Sequence, residues 1–344
     1  MSSQIGKKLR LYWLILVKFT SMNESKYTFN LVFVITRVLF RRIFNIKKYP
    51  NWSLKTEIIW ATSRLTLLSS NEYGLPWLKS LSKKFTPKPK MGKKVNIEHA
   101  TLNGTVFLKI TPLKPYKSDS AIIYFHGGGY VLGSPEATLE FSVKLSSCSN
   151  LAIYVPDYPK APEMLYPKAH TSSIDFVRDI SGNYDDLLLM GDSAGAALVL
   201  STFKNLKAVE KDKISGTVLI SPWIDPLASA GSINYNADND VGNRTFVTNC
   251  YRLYLGQKTE NPEHPMTFDK SNIISMPRTF VSVGSAEILF SQVSEFQNNL
   301  LKMDTKVHFR TYKNMFHTFW NHPKNIGEAM QLIHDISNWI FKWE

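Results

Sequence analysis

"DLLLMGDSAGAALVLSTF" (186–203) sets Gly191-Asp192-Ser193-Ala194-Gly195 between an apolar run and a helical pattern. G-x-S-x-G alone occurs often by chance, and its meaning comes from the strand before it and the helix after it. A strand that turns into a helix within so few residues brings backbone against backbone, and Gly191 and Gly195 keep the space around Ser193 clear. The serine oxygen is then expected above the carboxyl end of a strand, beside a helix N-terminus whose dipole favours negative charge. The competing reading is a serine that only caps the helix.

The same alternation runs outward on both sides. Apolar strands read at 121–125, 151–158, 215–223, 278–284 and 306–312, with helical patterns at 136–147, 168–180, 194–209, 291–303 and 327–342. Short apolar strands separated by helices predict an α/β fold, a mainly parallel sheet with helices on both faces. "VNIEHATLNGTVFLKITP" (95–112) adds a hairpin that turns at Asn103-Gly104. The stretch at about 225–277 shows no clear strand and reads as helices or loops inserted above the sheet. Ligands of open parallel sheets bind beyond the carboxyl ends of the strands, so motifs there carry most weight.

A serine hydroxyl is a weak nucleophile near neutral pH and needs a base that a carboxylate orients. Of the eight histidines, His317 in "NMFHTFW" lies just past the last strand, where a loop can carry it over the sheet edge. His322 reads as part of a solvated turn, and His99 and His308 fall within strands. Two carboxylates compete for the third place: Glu287 in "VGSAEILF" and Asp225 in "SPWIDP", each at a strand's carboxyl end. Glu287 is preferred, and the order serine, acid, histidine is that of an α/β-hydrolase sheet.

Three glycines in "YFHGGGYVLGSP" (124–135) follow another strand. Gly127, Gly129 and Gly133, with Asp157 ending the next strand, imitate a dinucleotide-binding loop. The helix, however, starts only after Gly133, with Ser134 as N-cap and Pro135 first, so its amides would not face a pyrophosphate. Inward amides of Gly128 and Gly129, with that of Ala194, suit the oxyanion formed when an ester is attacked. His126 is expected to brace this loop, alongside Gly127 and the Asp192 of the serine motif.

Taken together, "HGGGY" (126–130), "DYPKAPE" (157–163) with Tyr166-Pro167, "GDSAG" (191–195), "SPWID" (221–225), "GSAEIL" (284–289) and "FH" (316–317) resemble the hormone-sensitive-lipase-like group of α/β-hydrolases, which includes arylacetamide deacetylases and microbial carboxylesterases. The resemblance covers residues 95–344. It implies Ser193 as nucleophile, Glu287 as acid, His317 as base, and Gly128, Gly129 and Ala194 as oxyanion donors. It also implies no cofactor and a helical cap built partly from the N-terminal region, while the Cys and His spacing gives no metal site. The expected substrate is a short-acyl ester, cleaved through an acyl-enzyme. Steryl acetate deacetylases are similar members, so a hydrophobic alcohol such as a sterol is one expectation. Glu287 departs from the group's usual Asp, and Pro159-Lys160 from its usual Arg-Leu. Some members are receptors that lack the histidine; a non-catalytic ligand-binding protein is therefore the alternative, against which His317 speaks.

Composition separates the first quarter from the rest. Of the net charge of +13, residues 1–94 hold 19 Lys/Arg against three acids, and the remainder is slightly acidic. These basic residues alternate with apolar runs, "LYWLILV" (11–17) and "LVFVITRVLFRRIF" (31–44), a mixture that argues against nucleic acid. Neither run reaches the roughly 18 uninterrupted apolar residues of a spanning helix. Lys7, Lys8 and Arg10 precede a short run with no small-residue cleavage site, so a signal peptide is weakly indicated. Two readings stay open for 1–94: cap helices on the protein's own core, or peripheral contact with a membrane. Location follows the same division, cytoplasmic or at an endoplasmic-reticulum or lipid surface. Cys148 and Cys250 have no partner spacing and are expected to be unpaired thiols.

Overall fold

A computed structural model describes residues 22–85, 94–114, 119–226, 231–256 and 276–341. The run 11–17, the basic residues before it, most of the Pro- and Lys-rich connector and the second half of the 225–277 stretch lie outside the described residues.

Eight strands form one sheet in the order β1-β2-β4-β3-β5-β6-β7-β8. They are β1 (Val95–Leu102), β2 (Thr105–Pro112), β3 (Ser120–Phe125), β4 (Ala152–Pro156), β5 (Asp186–Asp192), β6 (Ile214–Ile220), β7 (Thr279–Gly284) and β8 (Val307–Tyr312). The β1–β2 hairpin is antiparallel and joins β4 antiparallel; every other pairing is parallel. Continuous apolar strands need cover on both faces, and every residue of β3, β4 and β7 is buried. Side chains alternate across the sheet. Ile122 and Tyr124 pack with Phe141, Ile333 and Ile336, whereas Ile123 and Phe125 pack with Phe176, Val177 and Leu198.

Register places the site. Phe125 pairs with Gly191, Asp192 with Ile220, and Gly284 with Tyr312. The loops after these strands therefore leave the sheet at one level, side by side.

Several boundaries differ from the sequence reading for local reasons. A 3₁₀ turn at Pro135–Thr138, capped by the Ser134 side chain, precedes the helix Leu139–Ser149. β4 stops at Pro156, so that Tyr158 folds back and its hydroxyl donates to the His126 carbonyl at 2.7 Å. "SPW" leaves the ladder because the Trp223 amide turns to the Ser193 carbonyl at 3.1 Å. The predicted 194–209 helix breaks at Leu206, which is extended, into Ala194–Asn205 and Ala208–Lys211.

Ahead of the sheet lie α1 (Met22–Ile43), α2 (Leu54–Tyr73) and α3 (Leu75–Phe85). The Ser53 side chain caps α2 by accepting the Thr56 amide, and Gly74 closes it on the Ser70 carbonyl. Arg42 of α1 meets the buried Glu57 of α2 and two carbonyls, those of Trp52 and Ser53. Within 231–256 the chain forms a short helix, Ser232–Tyr235, and α4 (Arg244–Leu255), with Asn243 as side-chain N-cap. No helix among the described residues is long and apolar enough to cross a membrane. Cys148 and Cys250 are free thiols, as expected from their spacing.

Candidate active site

Ser193 follows β5 with φ 52° and ψ −120°, a conformation that L side chains rarely adopt and that costs on the order of 1–3 kcal/mol. Its amide donates to the Ile220 carbonyl at 2.9 Å and its carbonyl accepts from Trp223, so β6 and the turn after it hold the strained residue. The two flanking glycines are there for space. A Cβ on Gly191 would overlap the Gly195 carbonyl, and one on Gly195 would overlap the Phe125 carbonyl. The Ser193 side chain makes no capping hydrogen bond to the helix that follows, which removes the capping role as an account of it.

His317 lies in the turn after β8, and its Nδ1 is 2.7 Å from Glu287 Oε2. A carboxylate only accepts, so Nδ1 carries the hydrogen and Nε2 keeps its lone pair. The other oxygen of Glu287 accepts from Ser221 Oγ at 2.7 Å and the Gly284 amide at 2.6 Å, which fixes the wholly buried carboxylate. Burial opposes a charge on His317. The Glu287 hydrogen bond and the charges of Glu287, Asp240 and Asp192 outweigh it and raise the imidazole above its ordinary pKa. Asp225, the competing acid, has its amide tied to Gln292 Oε1 and does not line the cavity described below.

In the glycine loop, Asp192 Oδ1 accepts the Gly127 amide at 2.8 Å and the Tyr124 hydroxyl at 2.7 Å. Gly128 has φ 125°, and a Cβ there would strike the Leu132 carbonyl, whose residue's amide bonds back to Gly128 O at 2.8 Å. The amides of Gly128, Gly129 and Ala194 have no acceptor among the described residues. Ala194 opens a helix, where an unpaired amide is expected. His126 stacks on Tyr158 with ring centroids 4.4 Å apart and donates Nδ1–H to the Gly127 carbonyl at 2.7 Å. Burial lowers its pKa to about 3, so it braces the loop as a neutral ring.

These groups meet in a cavity of about 180 Å³, lined by Ser193, His317, Gly128 and Gly129, with apolar walls from Leu67 of α2, Phe246 and Val247 of α4, and Ile288 and Leu289. Glu287 stands behind His317, and Ala194 lies outside the lining. The arrangement can activate a hydroxyl and receive an anionic oxygen.

Sequence reasoning missed Asp240. This fully buried residue accepts three amides on its carboxylate, those of Val241, Ile288 and His317, each at 2.7 Å. Burial, eased by His317 and reinforced by Glu287, pushes its pKa up to about 6. Nothing in "NADND" (236–240) beyond a polar turn composition marks it.

A family model described as alpha/beta hydrolase fold matches residues 122–321, more than half of the chain. The protein belongs to the α/β-hydrolase-fold family. An "Esterase" of Acinetobacter venetianus is 30% identical over 229 residues, covering 63% of this chain and 73% of that one. An "Acetyl-hydrolase" of Streptomyces hygroscopicus is 28% identical over 225 residues, covering 61% and 72%. Among solved structures, a hormone-sensitive lipase from a metagenome library superposes with a TM-score of 0.71 at 24% identity, covering 81% of this chain and 96% of that one. At that identity the likeness shows the fold.

Proposed function

We propose that the protein is a serine carboxylesterase of the deacetylase kind. The observation that carries this reading is the Glu287–His317 hydrogen bond opening on the same cavity as the strained Ser193 and the unpaired glycine amides. His317 Nε2 takes the Ser193 proton as Oγ bonds to the acyl carbon, and the negative oxygen rests on the Gly128, Gly129 and Ala194 amides. Collapse expels the alcohol, which receives the proton from His317. Water then attacks the acyl-enzyme by the same route, releases the acid and restores Ser193.

Cavity size bears on the acyl group. An apolar cavity of about 150 Å³ admits benzene, so the space here suits an acetyl or other short acyl chain. The name of the Streptomyces acetyl-hydrolase, and that of a "Versiconal hemiacetal acetate esterase" of Aspergillus parasiticus, 30% identical over 139 residues that cover 39% of this chain and 44% of that one, favour acetyl esters. A bulky alcohol such as a sterol would extend beyond the cavity, under a cap made of α1–α3 and the helices at 231–256.

Access from a lipid surface is the second part of the reading. Phe29, Phe33, Phe40 and Ile43 lie on one side of α1 at helical spacing and are 72%, 57%, 60% and 77% exposed, with Arg37 and Lys47 nearby. An apolar face with basic neighbours suits an anionic bilayer.

The decisive test is hydrolysis of p-nitrophenyl acetate, butyrate and longer esters by the wild type and by Ser193→Ala. Turnover of short esters, abolished in the variant, is expected. Equal inactivity of both on a broad panel would favour the non-catalytic, ligand-binding alternative. Flotation with anionic liposomes should fall when Phe29, Phe33 and Phe40 are replaced by serine, and unchanged flotation would refute the lipid contact.

A further inference from the structure

Loop 236–241 has a different partner on each edge. Outward, four consecutive carbonyls are held by side chains of the N-terminal region. Arg64 Nη1 of α2 donates to Ala237 O at 2.8 Å and Asp240 O at 2.5 Å. Lys48 Nζ donates to Asp238 O at 2.9 Å, and Trp60 Nε1 to Asn239 O at 2.8 Å. Inward, the loop holds the two turns that carry the acid and the base. Asn236 Nδ2 donates to Ser285 O at 3.0 Å and Glu287 O at 2.8 Å, while the Asp240 carboxylate accepts the Ile288 and His317 amides.

We propose that loop 236–241 is a latch through which the N-terminal helices set the position of His317, with Arg64 and Asp240 as its positioning residues. Neither residue has a part in bond-making. Arg64 reaches carbonyls that no strand or helix ladder uses, and one guanidinium spanning Ala237 O and Asp240 O fixes the curvature of the loop between them. That curvature aims the Asp240 carboxylate at two amides from separate turns, so Glu287 and His317 are referenced to one group. The N-terminal helices, outside the sheet, are thereby part of what makes the histidine competent. A displacement of the base by about 1 Å is enough to slow an enzyme by roughly 100-fold.

The inference rests on the esterase reading for its kinetic side only, and the test separates the two. In Arg64→Met, which keeps the apolar length and removes every donor, kcat for p-nitrophenyl acetate should fall about 10- to 100-fold with KM nearly unchanged. Amide hydrogen exchange at Ile288 and His317 should accelerate while β3 and β5 stay protected. Arg64→Lys, which can hold one carbonyl, should recover part of both. Trp60→Phe removes a single donor and serves if Arg64→Met does not fold; about a fivefold fall in kcat with faster exchange at the same two amides is expected. Unchanged kcat and unchanged exchange at Ile288 and His317 would overturn the latch, and so would exchange rising uniformly over the whole sheet. A wild type that cleaves no ester would refute the esterase reading and leave the exchange result to decide the latch.

Discussion

Loop 126–133 and loop 236–241 both border the cavity, and they use their backbones in opposite ways. The first leaves the Gly128 and Gly129 amides without an acceptor among the described residues, with glycines where a Cβ would meet Asp192, Leu132 or Cys250. The second offers its carbonyls outward, where Arg64, Lys48 and Trp60 hold them, and uses one carboxylate to gather amides from elsewhere. A loop that must stay open to a substrate is constrained by what it excludes. A loop that fixes other loops is constrained by what it binds.

The contrast can be broken at several points. Gly128→Ala should have the largest effect on rate, a fall in kcat of about 100- to 1000-fold, because the positive φ and the Leu132 carbonyl force the amide away. A kcat within a few-fold of wild type would remove Gly128 from the oxyanion role. Asp240→Ala should lower stability as well as rate. It strands three buried amides, each worth about 1–3 kcal/mol, and urea unfolding should show a loss of several kcal/mol. An unfolding midpoint equal to wild type would deny the loop its anchoring role. Gly129→Ala should cost less, about 1–3 kcal/mol, because its Cβ meets the Cys250 side chain at 3.0 Å. Cys250→Ala in the same chain should recover part of that loss, and no recovery would place the strain in the backbone instead.

The smallest effect is a shift along the pH axis. In the proposed mechanism His317 must be neutral to accept the Ser193 proton, so kcat/KM should fall as pH drops through its pKa. Because the neighbouring carboxylates raise that pKa, the acid limb should have its midpoint above the ordinary value of about 6.5. Glu287→Gln removes the leading charge and should move the midpoint down, with activity lost as well. A midpoint that stays in place would mean that another group governs the limb.

What the sequence reveals follows the same division. Ser193, the glycine loop and the strands around them are legible because their constraints are local: a turn without room for a Cβ, an apolar run, a helix that begins after Ser134. His317 and Glu287 are legible through their position after strands; the sequence already prefers Glu287 to Asp225, and the fold brings the Glu287 carboxylate to His317 Nδ1. Asp240 is not legible. Two of its three amide partners lie 48 and 77 residues away, and no periodicity or spacing in a single chain encodes such a meeting. The same holds for α1, where an apolar, basic run reads equally as a packed helix or a surface one until the exposed phenylalanines are located.

Asp192 precedes Ser193 by one residue and accepts the amide of Gly127, which precedes Gly128 by one residue. Tyr124, near the end of β3, grips the same carboxylate oxygen. One side chain thus spans β3 and β5, the strands that lead into the glycine loop and into Ser193. In the proposed mechanism, Ser193 and the Gly128 and Gly129 amides are therefore tied to one carboxylate. Losing the Asp192 carboxylate would release both halves of the proposed site at once.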